Sequence, residues 1–176
     1  MKKNFLRFGL FFLAAFSSLL TPLGSQAATG MVAVRVSAEI AGKSFPLNAA
    51  QLTILDKELD LAAVDILAKR KARETKNEEQ AYHLYRFIYL VRAVEDSRRT
   101  GVRQIRHGIL TKRTNHNGEV VIRYLKPGNY YLAAYRKRGE LAVVWFVPFS
   151  ISAGRVTELV LDNSNAFEIY HPSLYR

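Results

Sequence analysis

The chain has 176 residues, with four histidines, fifteen acidic side chains and no cysteine from which to build a reactive site. His83, His107, His116 and His171 stand at no metal-ligand spacing, and there is no thiolate to complete a ligand set. Asp56, Asp60 and Asp65 lack the oxygen spacing and the glycine of a calcium loop. No Gly-x-Ser-x-Gly elbow, phosphate-cradling loop or dinucleotide fingerprint is present. A nucleophile–histidine–acid set is assembled in space rather than along the chain. A small hydrolase therefore stays open as an alternative, one that needs a histidine to converge on a carboxylate or serine in a pocket. His107 and His116 flank one expected strand, and His116 reads as a turn residue between Asn115 and Asn117. His83 reads as a packed or surface residue among helical aromatics. The expectation is a non-enzyme with no metal and no cofactor.

The residue types suited to recognition gather in one stretch. Lys69, Arg70, Lys71, Arg73 and Lys76 cluster there, and Arg86, Arg92, Arg98, Arg99, Arg103 and Arg106 follow. Tyr82, Tyr85, Phe87 and Tyr89 interleave with them. The expected binding residues are Arg70, Arg73, Tyr82, Tyr85, Arg86, Tyr89 and Arg92. Such a stripe either packs on a neighbouring layer, leaving its arginines solvated, or meets a partner or a membrane surface. Trp145, Phe146 and Phe149, in a late apolar run, read as core rather than as a carbohydrate platform.

The elements that must carry these residues follow from periodicity. From Lys57 to about Arg99 there is no proline or glycine, and apolar residues fall at helical spacing. Two helices are expected, about 57–74 and 78–98, with Asn77 capping the second and Glu78 and Glu79 suiting its positive end. One continuous helix is the alternative. On either side the pattern has a period of two. Val32, Val34, Val36, Ala38 and Ile40 alternate in a first strand, and 51–56 reads as a second. After Gly108, strands are expected at 109–114, 119–125, 130–136, 141–149 and 155–162, separated by turn residues. In 119–125, Val120, Ile122 and Tyr124 share one face. Pro148 places its strand at an edge or a bulge. The tail 163–176 reads as irregular, but its Phe167, Ile169, Tyr170, Leu174 and Tyr175 imply that it docks on something.

The start of the chain has the three parts of an export signal. Lys2, Lys3 and Arg7 precede an apolar run through Phe16, and small residues before Ala27 suit a signal peptidase. Residues 1–27 are therefore expected to be removed after Ala27. An uncleaved anchor fits less well, because Ser17, Ser18, Thr21, Pro22 and Gly24 interrupt the apolar run. Without cysteine there is neither a lipid-modified residue nor a disulfide, so stability rests on burial. The charge of +11 falls to +8 once the three basic leader residues are removed. A basic exported protein is drawn to envelope proteins with acidic surfaces, polyanionic glycans or lipid head groups. Nucleic acid is not expected, nor is a membrane span after cleavage. Oligomeric state is left open.

Thr114, Gly118, Leu125, Pro127, Gly128 and Tyr130 follow the pattern Thr-x-x-x-Gly, strand, Leu-x-Pro-Gly-x-Tyr. Upstream, Pro46, Leu47 and Ala50 precede the second strand in a proline-leucine-x-x-alanine arrangement. Over about 31–56 and 108–162 the chain resembles the carboxypeptidase regulatory-like family. That resemblance implies a mainly β fold, an antiparallel seven-stranded transthyretin-like (prealbumin-like) β-sandwich over 28–162. The segment 57–107 would be a two-helix insertion between strands 2 and 3, which the family core does not need. It also implies a scaffold, adhesive or regulatory role more than an enzymatic one, although fold does not fix function. Two chemistries of related sandwiches find no match. A lysine–asparagine isopeptide needs a lysine in the first strand, and 31–40 has none. The ureide hydrolases need an early histidine and a terminal Tyr-Arg-Gly-Ser, whereas this chain stops at Leu174, Tyr175 and Arg176. The expected role is a non-catalytic binding or assembly module of a bacterial envelope. The alternatives are a periplasmic protein binding glycan or anionic lipid through its basic helices, and a small hydrolase.

Overall fold

The structure, a computed structural model, describes residues 28–40, 42–99 and 108–175. The expected leader, Arg103, Arg106 and His107 lie outside the described residues. The elements in chain order are β1 (Gly30–Ile40), β2 (Lys43–Pro46), β3 (Gln51–Leu55), α1 (Leu61–Ala72), α2 (Glu78–Arg99), β4 (Gly108–Arg113) and β5 (Glu119–Leu125). They continue with β6 (Gly128–Arg138), β7 (Leu141–Ile151), β8 (Val156–Leu161), β9 (Ala166–Tyr170) and a 3₁₀ turn at Pro172–Tyr175. The protein is mainly β, a two-sheet sandwich with a two-helix insertion, as the sequence implied. All seven expected strands form, and β2 and β9 are additional.

One sheet is centred on β1, which pairs with β5, with β8 and, through its last residues, with β2. The other has the order β4-β3-β6-β7-β9. Pairing is antiparallel except for β1 with β8, which is parallel. This departs from the fully antiparallel expectation for a topological reason. β7 and β8 lie in different sheets, and the tight turn between them reverses β8 so that it runs alongside β1 in the same direction.

Thr114, Gly118 and Tyr130 each hold a joint. The Thr114 hydroxyl accepts from the Ala50 N–H (2.9 Å) and donates to the Leu47 carbonyl (2.6 Å), tying the β4 exit to the β3 entry. Gly118 has φ +74°, and a Cβ there would lie 2.3 Å from the Val36 carbonyl oxygen. The Tyr130 hydroxyl donates to the Lys126 carbonyl (2.8 Å) and closes the turn that contains Pro127 and Gly128.

One strand departs from simple alternation. Ile122 pairs with Val32 but Leu125 pairs with Gly30, so β5 carries one residue more than β1 across this step. This is a β-bulge. It turns Leu125 into the core and leaves Tyr124, at φ 62°, 81% exposed. The sequence pattern had grouped Tyr124 with Ile122; the extra residue reverses the phase.

The main core fills the space between the sheets, with Val32, Val34, Val36, Leu52, Ile54, Ile122, Leu132, Val143 and Trp145 among its members. Trp145 is fully buried, and its indole N–H donates to the Asp162 carbonyl (2.7 Å). A second core lies on the far side of the five-stranded sheet, where Ala142 and Val144 of β7 meet Val64 of α1 and Phe87 and Leu90 of α2. The helices therefore form a third layer packed on the sheet. They are a hairpin rather than one continuous helix. α1 starts at Leu61, four residues later than expected at 57, because the Asp60 carboxylate caps it by accepting from the Ala63 N–H (2.9 Å). Asn77 caps α2 as expected, accepting from the Gln80 N–H (3.1 Å). The tail is not irregular: β9 pairs with β7 across Ala142–Trp145. β9 stops there, so among the described residues β7 has a strand neighbour on one side only at Pro148, which suits a residue without an N–H. Among the described residues, no helix is long and apolar enough to cross a membrane.

Replacing Gly118 with alanine sets a Cβ against backbone at a left-handed φ. The expected loss is about 2 kcal/mol or more in urea unfolding. A loss under about 0.5 kcal/mol would contradict this account of the joint.

Candidate functional site

Ionisable side chains converge where α1, α2 and β9 meet. Glu168, only 6% exposed, stands on β9. Its Oε2 accepts from Arg86 Nη1 (2.8 Å), and its Oε1 lies 3.0 Å from His83 Nδ1. Helical spacing brings His83 and Arg86 to one side of α2, and the alternation of β9 turns Glu168 toward them. Arg86 also reaches α1, with Nε 3.3 Å from Asp65 Oδ1 but without hydrogen-bond alignment. Asp65 accepts from the Tyr82 hydroxyl and pairs with Lys69 Nζ (2.7 Å). The Arg86 guanidinium lies 4.5 Å from the Phe167 ring centroid and 5.4 Å from that of Tyr82, so aromatic faces add to its ionic contacts.

The electrostatics differ between the two carboxylates. Burial pushes the Glu168 carboxyl above its ordinary range, and His83 and Arg86 offset that only in part. Asp65 is held below its ordinary range, first by its hydrogen bonds with Lys69 and Tyr82. The consequences for stability have opposite signs. Folding raises the Glu168 pKa, so this group favours the folded state increasingly as pH falls from neutral through the raised value. Asp65 contributes stability at neutral pH that is lost as pH falls through the carboxylate range.

The seven residues expected to bind do not form one surface. Tyr82 and Arg86 belong to the cluster just described. Tyr85 and Tyr89 lie together, with ring centroids 6.1 Å apart. Their electrostatic neighbour on α1 is Lys71, and Arg92 lies over the Tyr89 ring at 5.6 Å. Arg70 on α1 and Arg73, just past its end, are exposed, and Arg73 is 3.9 Å from Glu78. Both readings of the stripe thus apply to different members. Phe87, Leu90 and Val94 pack inward, Arg86 is held internally, and Arg70, Arg73 and Arg92 stay at the surface.

The hollow nearest the cluster holds about 490 Å³ and is lined by Lys69, Arg73, Glu78, Glu79 and Tyr82, with no histidine. His116 is exposed in its turn, and His171 contacts Ser173 two residues along (2.7 Å). Glu168 was missed in the sequence because the tail read as irregular. The signal for it was present: an acidic residue flanked by Phe167 and Ile169 in an alternating run.

Compared by sequence, the chain matches no family model and no curated protein. Solved structures resemble it in fold at low identity. A minor pilin of Streptococcus agalactiae matches at 10% identity and a TM-score of 0.43, over 77% of this chain and 44% of the pilin. A candidate carbohydrate-binding protein of Pseudomonas aeruginosa matches at 9% identity and a TM-score of 0.40, over 78% of this chain and 90% of that one. The shaft pilin SpaA of Lactobacillus rhamnosus GG matches at 12% identity and a TM-score of 0.40, over 78% and 50%. This chain thus spans less than half of the streptococcal minor pilin. Similarity at this level carries no argument about activity or ligand.

The cluster's geometry is that of a clamp across three elements. Each carboxylate is engaged by a cation from another element or another turn. Arg86→Met leaves Glu168 buried without its main cation, with an expected loss of about 3–5 kcal/mol near neutral pH. Most of that loss should vanish in the Arg86→Met/Glu168→Gln double variant, and it should shrink on mild acidification. Denaturant unfolding of the four-member cycle measures this coupling, and equal losses in both backgrounds would contradict the clamp.

Proposed function

We propose that this chain is an exported, non-catalytic binding or assembly module of a bacterial envelope, built on a carboxypeptidase regulatory-like sandwich. The observation that carries the reading is the outer face of the four-stranded sheet, which no described helix or strand covers. The helices cover the corresponding face of the other sheet. Here Val121, Val156 and Val160 are 48%, 53% and 55% exposed. Register sets Val121 opposite Ala33 and Val156 opposite Met31, so these residues form one surface. Charged residues are interspersed with them: Glu158 stands opposite Ala33 between Val156 and Val160, and the Arg35–Glu119 pair (3.2 Å) shares the row of Val160. An exposed sheet face that mixes valines with charged side chains offers a protein partner both apolar and polar contacts. The partner proposed is another envelope protein.

Export rests on the leader pattern of residues 1–27. The non-catalytic reading is supported by the clamp, in which the convergent ionisable groups serve to join elements. The family assignment is supported by the joints at Thr114, Gly118 and Tyr130. A second reading, binding of polyanionic glycan or lipid head groups, is favoured by exposed Arg70, Arg73 and Arg92 and by the sequence pI of about 10.0. It requires affinity that collapses with salt.

The test compares wild type with Val121→Glu/Val160→Glu, both expressed with the leader. The mature chain is expected to start at Ala28 by N-terminal sequencing. The double variant should keep its melting temperature and lose the high-mass cross-linked species formed in the envelope fraction. A cross-linked species unchanged by the variant, or lost only on Arg70→Ala/Arg73→Ala, would contradict the sheet-face reading.

A further inference from the structure

The residues on the outer face of the four-stranded sheet form a cross. Ala33, on the central strand β1, stands at its middle. Register places Glu158 of β8 on one side of Ala33 and Val121 of β5 on the other. Alternation along β1 places Met31 and Arg35 on the same face, one at each end. Ala33 is small, and a shallow hollow of about 250 Å³ opens there between Val121, Glu158, Val160 and the Arg35–Glu119 pair. The cross thus has two apolar arms, Met31 and Val121, and two charged arms of opposite sign, Arg35 and Glu158.

Both charged arms can accept a further contact. Arg35 lies 3.2 Å from Glu119 through one guanidinium nitrogen, and its side chain is 68% exposed, so donors of the fork remain for a second carboxylate. Glu158 is exposed and has no ionic partner among the described residues. The edges of this sheet are less open than its face. At the end of β8 the Asn165 side-chain amide donates to the Val160 carbonyl (2.8 Å) and accepts from the Asp162 N–H (3.1 Å), occupying groups that a further strand would use. β5 carries its bulge between Ile122 and Leu125, which also blunts an edge. A partner of this sheet therefore meets its face.

Two copies of one surface meet face to face through a two-fold axis lying between them. An axis along β1 sets Glu158 over Val121 of the other copy, and an axis across the strands sets Glu158 over Glu158. Two diagonal axes remain, and both cross the sheets at a right angle, one of the ways in which sheets pack. One of them sets Glu158 over Met31. The other sets Glu158 over Arg35 twice and Val121 over Met31 twice, with Ala33 against Ala33. Neighbouring strands are about 4.8 Å apart, and every second residue along a strand is about 6.6 Å on. A long arginine side chain spans that difference, and the flexible Met31 side chains are suited to filling the hollow at Ala33.

We infer that this face binds a second copy of the chain, crossed at a right angle, with Glu158 of each copy on Arg35 of the other. The charge pattern favours this partner over a polyanion, because Arg35 and Glu158 balance each other on the face of a chain that is otherwise strongly basic. The inference names the partner of the sheet face proposed above and rests on that reading.

The experiment measures self-association of the purified mature chain by sedimentation equilibrium. Wild type should dimerise with a Kd of roughly 100 μM or tighter, in the range of small transient interfaces. Arg35→Glu brings like charges of the two copies together, and so does Glu158→Arg. Each alone should weaken the dimer by about tenfold or more. An equimolar mixture of these two variants should form a heterodimer near the wild-type affinity, because both crossed pairs then join opposite charges. Val121→Glu/Val160→Glu should be monomeric, and Arg70→Ala/Arg73→Ala should dimerise as wild type does. Wild type that stays monomeric at about 1 mM, or a mixture that associates no more tightly than either variant alone, overturns the inference. If the Val121/Val160-dependent species of the envelope fraction then contains a different protein, the sheet-face reading stands without it. If no species there depends on Val121 and Val160, that reading fails as well.

Discussion

The burial demanded by β7 organises this protein. Most strands alternate, offering one face to a core and one to water. β7 does not: Val143, Trp145, Phe149 and Ile151 face the sandwich core, while Ala142 and Val144 on the opposite face are also fully or nearly fully buried. At about 25 cal/mol per Å² of apolar surface, neither face can be left wet in a chain without disulfides. The second sheet covers one face. The helical hairpin, inserted between β3 and β4, covers the other.

That requirement explains why charge is drawn inward. Seating α2 on β7 brings its flank against β9, where Glu168 is enclosed. A buried carboxylate is costly unless it is paired and hydrogen-bonded. His83 and Arg86 supply those contacts, and Asp65, Lys69 and Tyr82 extend them to α1. The residues that first looked fit for recognition are therefore divided. Arg86 and Tyr82 hold the layers together, and the surface arginines remain for solvent or a partner. The valine-bearing face around β1 is the surface proposed above for a partner.

Much of this was legible in the sequence where a single local rule decided the outcome. Alternation in 31–40, the proline- and glycine-free stretch around the helices, Asn77 as a cap and the turn residues at Gly118, Pro127 and Gly128 all read directly. What was not legible depended on long-range pairing. The bulge at Tyr124 exists because β5 must match β1 at Gly30, which alternation within β5 alone does not reveal. β9 forms because β7 offers it an edge; on its own, the five-residue run 166–170 carried an acid at its centre and read as tail. The parallel pairing of β8 follows from which sheet β7 belongs to. The candidate site was half visible: His83, Arg86 and Tyr82 stood out by type, but their partner Glu168 lies 82 residues beyond Arg86 in the chain. Phe146 read as core and is half-buried against the helical layer, stacked on Tyr131.

The central claim is that the hairpin is a structural layer of one cooperative unit rather than an appended arm. Native-state hydrogen exchange tests it most directly, by comparing opening free energies along α2 with those along β7. The account predicts that amides around Phe87–Val94 exchange only by global unfolding, with the same free energy as amides of Val143–Trp145. Exchange of the α2 amides at a free energy several kcal/mol below that of β7 would show the hairpin opening while the sandwich stays folded, and would contradict the account.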